Sequence, residues 1–181
     1  MTAEASGKML VVYYSLTGNT AGVARDIAGL ARADIEVLRD FDREPPLGAL
    51  AYIKAALDAL RGRPGKLGSI ACDPRNYALV VIGTPVWVGR MSPAVRAYLE
   101  RYRDYLPHVA FFVTSGDTDA SKVVGPMEAI LRHKAEALTG FNAKELADPR
   151  VRSDRIATFV QALRQREGFF PGVTRTGAVL S

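Results

Sequence analysis

Two short stretches of this chain carry residue types that could do chemistry. The first is Ser15-Leu16-Thr17-Gly18-Asn19-Thr20, which places three hydroxyls and a glycine within six residues. Ser15, Thr17 and Thr20 supply hydroxyl donors. Gly18 lets a ligand approach the main chain with no Cβ in the way. If a helix opens here, its free N–H groups and its dipole favour an anion at the same spot. The stretch holds no lysine, so it is not a Walker loop, and it is not GxGxxG. Taken alone it could equally be a polar helix cap. The second stretch is Gly83-Thr84-Pro85-Val86-Trp87-Val88-Gly89-Arg90-Met91-Ser92-Pro93, which contains the only tryptophan. A large aromatic in a Gly- and Pro-rich loop suits a flat heteroaromatic ring, and Gly89 would let main chain sit against the ring edge. The alternative is that Trp87 plugs a gap between loop and helix.

The surrounding pattern says what must position these stretches. Met9–Tyr14 is a continuous apolar run, which reads as a strand buried on both faces. From Thr20, the residues Val23, Ile27, Leu30 and Ala31 recur at helical spacing. Ile35–Leu38 reads as a short second strand. Ala49, Ile53, Ala56, Leu57 and Leu60 mark a second helix, ended by the Gly- and Pro-containing stretch 61–68. Tyr77–Ile82 is the strongest strand signal. Ser92 and Pro93 suit the N-cap and first position of a third helix, with Val95, Tyr98, Leu99 and Tyr102 as its buried stripe. Val109–Thr114 is a fourth strand, and Met127, Ile130, Leu131 and Leu138 mark a fourth helix. A weak fifth strand falls near Asn142–Leu146. Ile156, Phe159, Val160 and Leu163 define the last helix. Strands alternating with helices argue for a parallel sheet covered on both faces. Ligands of such sheets bind beyond the C-terminal strand ends. The hydroxyl loop directly follows the first strand, which favours phosphate over a plain cap.

The hydroxyl loop resembles the FMN-phosphate loop of flavodoxins, written [ST]-x-T-G-x-T. By the order of elements the resemblance runs from about Lys8 to about Arg166. It implies an α/β, doubly wound, five-stranded parallel sheet of order 2-1-3-4-5, a flavodoxin-like domain over 1–168 and a C-terminal tail over 169–181. It also implies that Thr84, Pro85, Val86, Trp87, Val88, Gly89 and Arg90 wrap the isoalloxazine. The form T-P-V-W-x-G-x-M-S-P is similar to that of the flavin and quinone reductase branches. The stretch Thr114-Ser115-Gly116-Asp117-Thr118-Asp119 resembles the other flavin-edge loop, where Ser115, Gly116 and Asp117 would meet the ring. One feature departs from the family: no aromatic lies between Thr114 and Pro126, where electron carriers usually stack a tyrosine.

What the resemblance implies is an FMN-dependent oxidoreductase that takes hydride from NAD(P)H and reduces a quinone, flavin or similar small acceptor. The alternative is a non-catalytic electron-transfer protein serving partner proteins, and a homodimer is compatible with either. Other chemistries find no support. A receiver domain needs acidic residues after strand one and an aspartate after strand three, where this chain has Ser15 and Thr84. The nucleophile elbow GxSxG is absent. His108 and His133 lack metal-ligand spacing, and Asp117 and Asp119 suit a turn. No metal is expected. Cys72 is the sole cysteine, so no internal disulfide forms. The net charge is +5, but the basic residues are scattered over helices, as a solvated face requires, and nucleic-acid binding is not expected. No apolar run is long enough to span a bilayer, and Met1–Lys8 lacks the apolar centre of a secretory signal, so a cytoplasmic setting is expected.

Overall fold

A computed structural model describes residues 7–41, 61–117 and 119–165. The helix read from Ala49 to Leu60 and the tail from 169 lie outside the described residues.

Three strands form the centre of the sheet: β1 (Met9–Tyr13), β3 (Leu79–Trp87) and β5 (His108–Thr114). Each is an apolar run because both of its faces are covered. β2 (Asp34–Val37) and β6 (Leu138–Phe141) flank them, giving the parallel order β2-β1-β3-β5-β6. Alternate strand residues face opposite layers. Leu10, Val12, Val80, Ile82, Phe111 and Val113 pack with α2 (Pro93–Tyr102) and α3 (Ala120–Leu131). Val11, Tyr13, Leu79, Val81 and Phe112 pack with α1 (Asn19–Ala31) and α5 (Pro149–Arg164). Among the described residues, no helix is long and apolar enough to cross a membrane.

The stretch after β3 is a hairpin rather than a loop. β3 continues to Trp87, turns at Val88-Gly89, and returns as the two-residue β4 (Arg90–Met91), with Trp87 opposite Arg90. Both turn residues have positive φ, 50° at Val88 and 72° at Gly89. Positive φ at both central positions is what a two-residue hairpin needs, and it is costly for a β-branched residue. Val88 is exposed, so nothing is gained from its packing. Val88→Asn should therefore stabilise the fold by about 1 kcal/mol, raising the thermal midpoint by about 2–4 °C. A calorimetric midpoint equal to or below that of the wild type would contradict this strain.

The end of the chain departs from the sequence pattern. The fourth helix stops at Leu131, where Arg132 takes the left-handed cap conformation, and Leu138 begins β6. The expected strand at 142–146 is instead a short helix, α4 (Ala143–Ala147). Its cause is a capping box: the Asn142 side chain accepts from Glu145 N–H, and Glu145 accepts from Asn142 N–H. Each edge strand is tied down by side-chain hydrogen bonds. Glu36 of β2 is buried and accepts the N–H groups of Ala71 and Cys72, at 2.8 and 2.7 Å. At β6, Arg155 donates to Gly140 O at 2.9 Å and pairs with Glu145 at 2.6 Å, which also ties α4 to the sheet.

Candidate functional site

The C-terminal ends of β1, β3, β5 and β6 surround one cleft. It is lined by Leu16, Thr17, Asn19 and Thr20 after β1, by Pro85, Val86 and Trp87 of β3, by Thr114, Ser115 and Gly116 after β5, and by Ala143 and Leu146 of α4. At ≈ 180 Å³ it encloses only part of a ligand, leaving the remainder to lie along the open rim.

The β1 side is an anion cradle made of neutral donors. Gly18, at φ 94°, is the N-cap of α1, and no side chain caps this helix. The orphan N–H groups of the first turn are therefore left for a ligand. Ser15 does not line the cleft. Its Oγ accepts from Gly18 N–H at 3.2 Å and so shapes the loop. Thr17 and Asn19 are exposed in the cleft wall. Thr20 is buried, its hydroxyl 2.8 Å from that of Thr114.

The β3 side is aromatic. Trp87 is half-buried and packs edge-on against Tyr14, with ring centroids 5.7 Å apart and planes at 80°. Both readings of Trp87 thus meet in one position: it packs on the core and also walls the cleft. Thr84 is placed differently from Pro85, Val86 and Trp87. It is fully buried, its hydroxyl donates to Pro85 O, and it accepts from Ser92 N–H at 3.0 Å. Its side chain joins the hairpin to the cap of α2 and does not line the cleft. Val88, Gly89 and Arg90 are exposed at the hairpin tip, outside the lining. Asp117 is exposed beyond Gly116 and also lies outside it.

Three lining residues lie outside the contacts that the motifs imply: Thr114, Ala143 and Leu146. Thr114 opens the stretch that resembles the flavin-edge loop, but its own pattern is that of the last residue of a strand. The other two follow from the capping box Asn142-x-x-Glu145, which is visible in the sequence and would have placed a helix at this strand end. Cys72 lies away from the cleft. Burial pushes its thiol above the ordinary value, which makes it a poor nucleophile. Among the described residues no group of three or more His, Cys, Asp or Glu could hold a metal ion.

No protein-family model and no curated protein sequence matches the chain. Solved structures do. A flavoprotein from Lactobacillus acidophilus NCFM, solved in complex with FMN, is 24% identical over 77% of this chain and 96% of that one, with a TM-score of 0.63. A chain from Bacteroides eggerthii DSM 20697, assigned as a flavoprotein, is 20% identical over 83% and 98%, with a TM-score of 0.62. Another from Bacteroides uniformis ATCC 8492, assigned in the same way, is 18% identical over 81% and 96%, with a TM-score of 0.63. The parallel path β2-β1-β3-β5-β6 is the order 2-1-3-4-5 once the hairpin arm β4 is set aside. The chain has the flavodoxin-like fold. In this fold the switch point lies between β1 and β3, where the strand order reverses, and the cleft opens there. The β3–β4 hairpin and the tied-down helix α4 form two walls of the cleft on this flavodoxin-like frame.

Proposed function

We propose that the protein binds FMN and is an FMN-dependent oxidoreductase, taking reducing equivalents from a nicotinamide nucleotide and delivering them to a small acceptor such as a quinone or a flavin. The observation that carries this reading is the cleft itself: an uncapped helix start with the exposed Thr17 hydroxyl adjoins an indole wall. A phosphate monoester fits the first, and a flat ring system fits the second. The FMN-bound neighbour of the same fold supports it.

The residues divide the work of holding such a group. The first turn of α1, with Thr17 and Asn19, would hold the phosphate, and Gly18 admits it. Trp87 would bear on the ring system and exclude water from that side, while Pro85 and Val86 supply apolar contact. Main-chain groups of Ser115 and Gly116 would meet a polar ring edge. Bound FMN supplies the two-electron chemistry. No aromatic residue occurs between Thr114 and Pro126, which favours an approach for a small substrate on that side over a sealed electron carrier.

Two measurements test this. FMN should bind more tightly than riboflavin in a fluorescence titration of the apoprotein, because riboflavin lacks the phosphate. Anaerobic mixing of the FMN-loaded protein with NADH and with NADPH should bleach the flavin absorbance with at least one of them. Equal affinities for FMN and riboflavin would overturn the binding site. Bleaching by neither nucleotide would overturn the reductase and leave an electron-transfer protein serving partner proteins.

A further inference from the structure

Resting on that FMN-binding reading, we infer that Thr114 is a positioning residue of the phosphate cradle: it orients the Thr20 hydroxyl so that the pair presents one O–H proton to a phosphate oxygen. Thr20 stands in the first turn of α1 and Thr114 at the end of β5, 94 residues apart in sequence and 2.8 Å apart at their hydroxyls. Both are nine-tenths or more buried, and both line the cleft.

Proton counting shows what the pair can offer. Two hydroxyls own two protons, and one proton lies between them. The other is left over. A threonine inside a helix can place its proton on the carbonyl three or four residues back, but Thr20 is the second residue of α1, and Thr17 and Leu16 at those positions precede the helix. Thr20 makes no such bond, and among the described residues neither hydroxyl has a partner other than its mate. A buried donor without an acceptor is unfavourable, so the leftover proton is an unfilled demand for an acceptor inside the cleft. The adjoining groups, Thr17 and the uncapped start of α1, are donors and a positive helix pole, so the acceptor that suits them all is an anion.

Either hydroxyl of the pair can donate to the other, and the inferred arrangement is the one in which Thr114 donates. When Thr114 donates to Thr20, the Thr20 proton is turned to the ligand and is polarised by the bond it accepts. Without Thr114, the Thr20 hydroxyl is free to rotate, and its proton is no longer held toward the ligand. Thr114 acts through Thr20, and its loss should be felt by FMN but not by riboflavin.

The test is a double-mutant cycle on the whole protein, read by titration with FMN, with riboflavin, and with inorganic phosphate followed by thermal shift. Thr114→Val should weaken FMN binding by about fivefold to tenfold and leave riboflavin unchanged. It should also diminish the stabilisation that inorganic phosphate gives. Thr114→Ser keeps the hydroxyl and should stay within about twofold of wild type. The Thr20→Val/Thr114→Val protein should bind FMN no more weakly than Thr20→Val, since the second change removes a group that acts through the first. Wild-type affinity for FMN in Thr114→Val, an equal loss for riboflavin, or additive losses would overturn the inference while leaving the FMN site standing. Should the valine variant fold poorly, Thr114→Ala takes its place in the same titrations, with the same expected loss for FMN alone. Failure of the wild type itself to bind FMN would overturn the FMN-binding reading, and this inference with it.

Discussion

Gly83→Ala should be among the most damaging single-methyl substitutions in this chain. A Cβ at position 83 would lie 1.9 Å from the Phe112 ring, with two more ring atoms at 2.3 and 2.6 Å. Gly83 needs no unusual φ. It is glycine because the ring of the neighbouring strand crosses its backbone. Phe112 is fully buried between β5 and the layer of α1 and α5, so it has no solvent to move into. Overpacking a tight core usually costs about 1–3 kcal/mol, and a clash this deep with an immobile ring should cost about 3 kcal/mol or more. The thermal midpoint should fall by about 6–12 °C. Adding Phe112→Leu should recover part of that loss, because it removes the atoms that collide. A Gly83→Ala protein with an unchanged midpoint would mean that the ring swings aside at no cost. The position matters for the site as well as for the core. Gly83 O accepts the Tyr14 N–H at 3.3 Å, and the strand runs on through Pro85 to Trp87. The packing that forces glycine at 83 also sets the root of the aromatic wall.

The elements differ in how plainly their sequences announce them, and the reasons are physical. β1, β3 and β5 are legible because a strand covered on both faces has no polar alternation to confuse with a helix. The hydroxyl loop is legible because its residues do their work locally. The hairpin is not, since Val88-Gly89 lacks the Asn-Gly or Asp-Gly chemistry by which two-residue turns are recognised. β6 is hidden for a different reason. Leu138-Thr139-Gly140-Phe141 is a short strand at the sheet edge, and its glycine is dictated by Ala120, whose Cβ would lie 2.7 Å from a Cβ at Gly140. Nothing in the local sequence reports that long-range contact. Thr114 is the same problem in the site: its partner is 94 residues away, so only the folded chain shows the pair.

Trp87→Ala should produce an effect of comparable size on the ligand rather than on the fold. The indole is half-buried, and its edge-on packing against Tyr14 holds it on one wall of the cleft. Stacking of a nucleic-acid base on an aromatic residue contributes about 1–3 kcal/mol, and a flavin ring offers at least as much surface. Flavin affinity should therefore fall about tenfold to a hundredfold. The loss should be the same for FMN and for riboflavin, since the wall touches the ring and not the phosphate. Thr17→Ala should do the opposite, weakening FMN while sparing riboflavin, because it removes a charge-assisted donor from the cradle. Flavin bound to the wild type should be strongly quenched by the nearby indole, and the remaining bound flavin in Trp87→Ala should regain emission. Trp87→Phe should keep most of the affinity, as a smaller ring still covers part of the surface. The two titrations divide the cleft into a ring half and a phosphate half, and each substitution must fall on its own side. If Trp87→Ala leaves riboflavin affinity and quenching unchanged, the indole only fills the space beside Tyr14, and the ring lies against another wall.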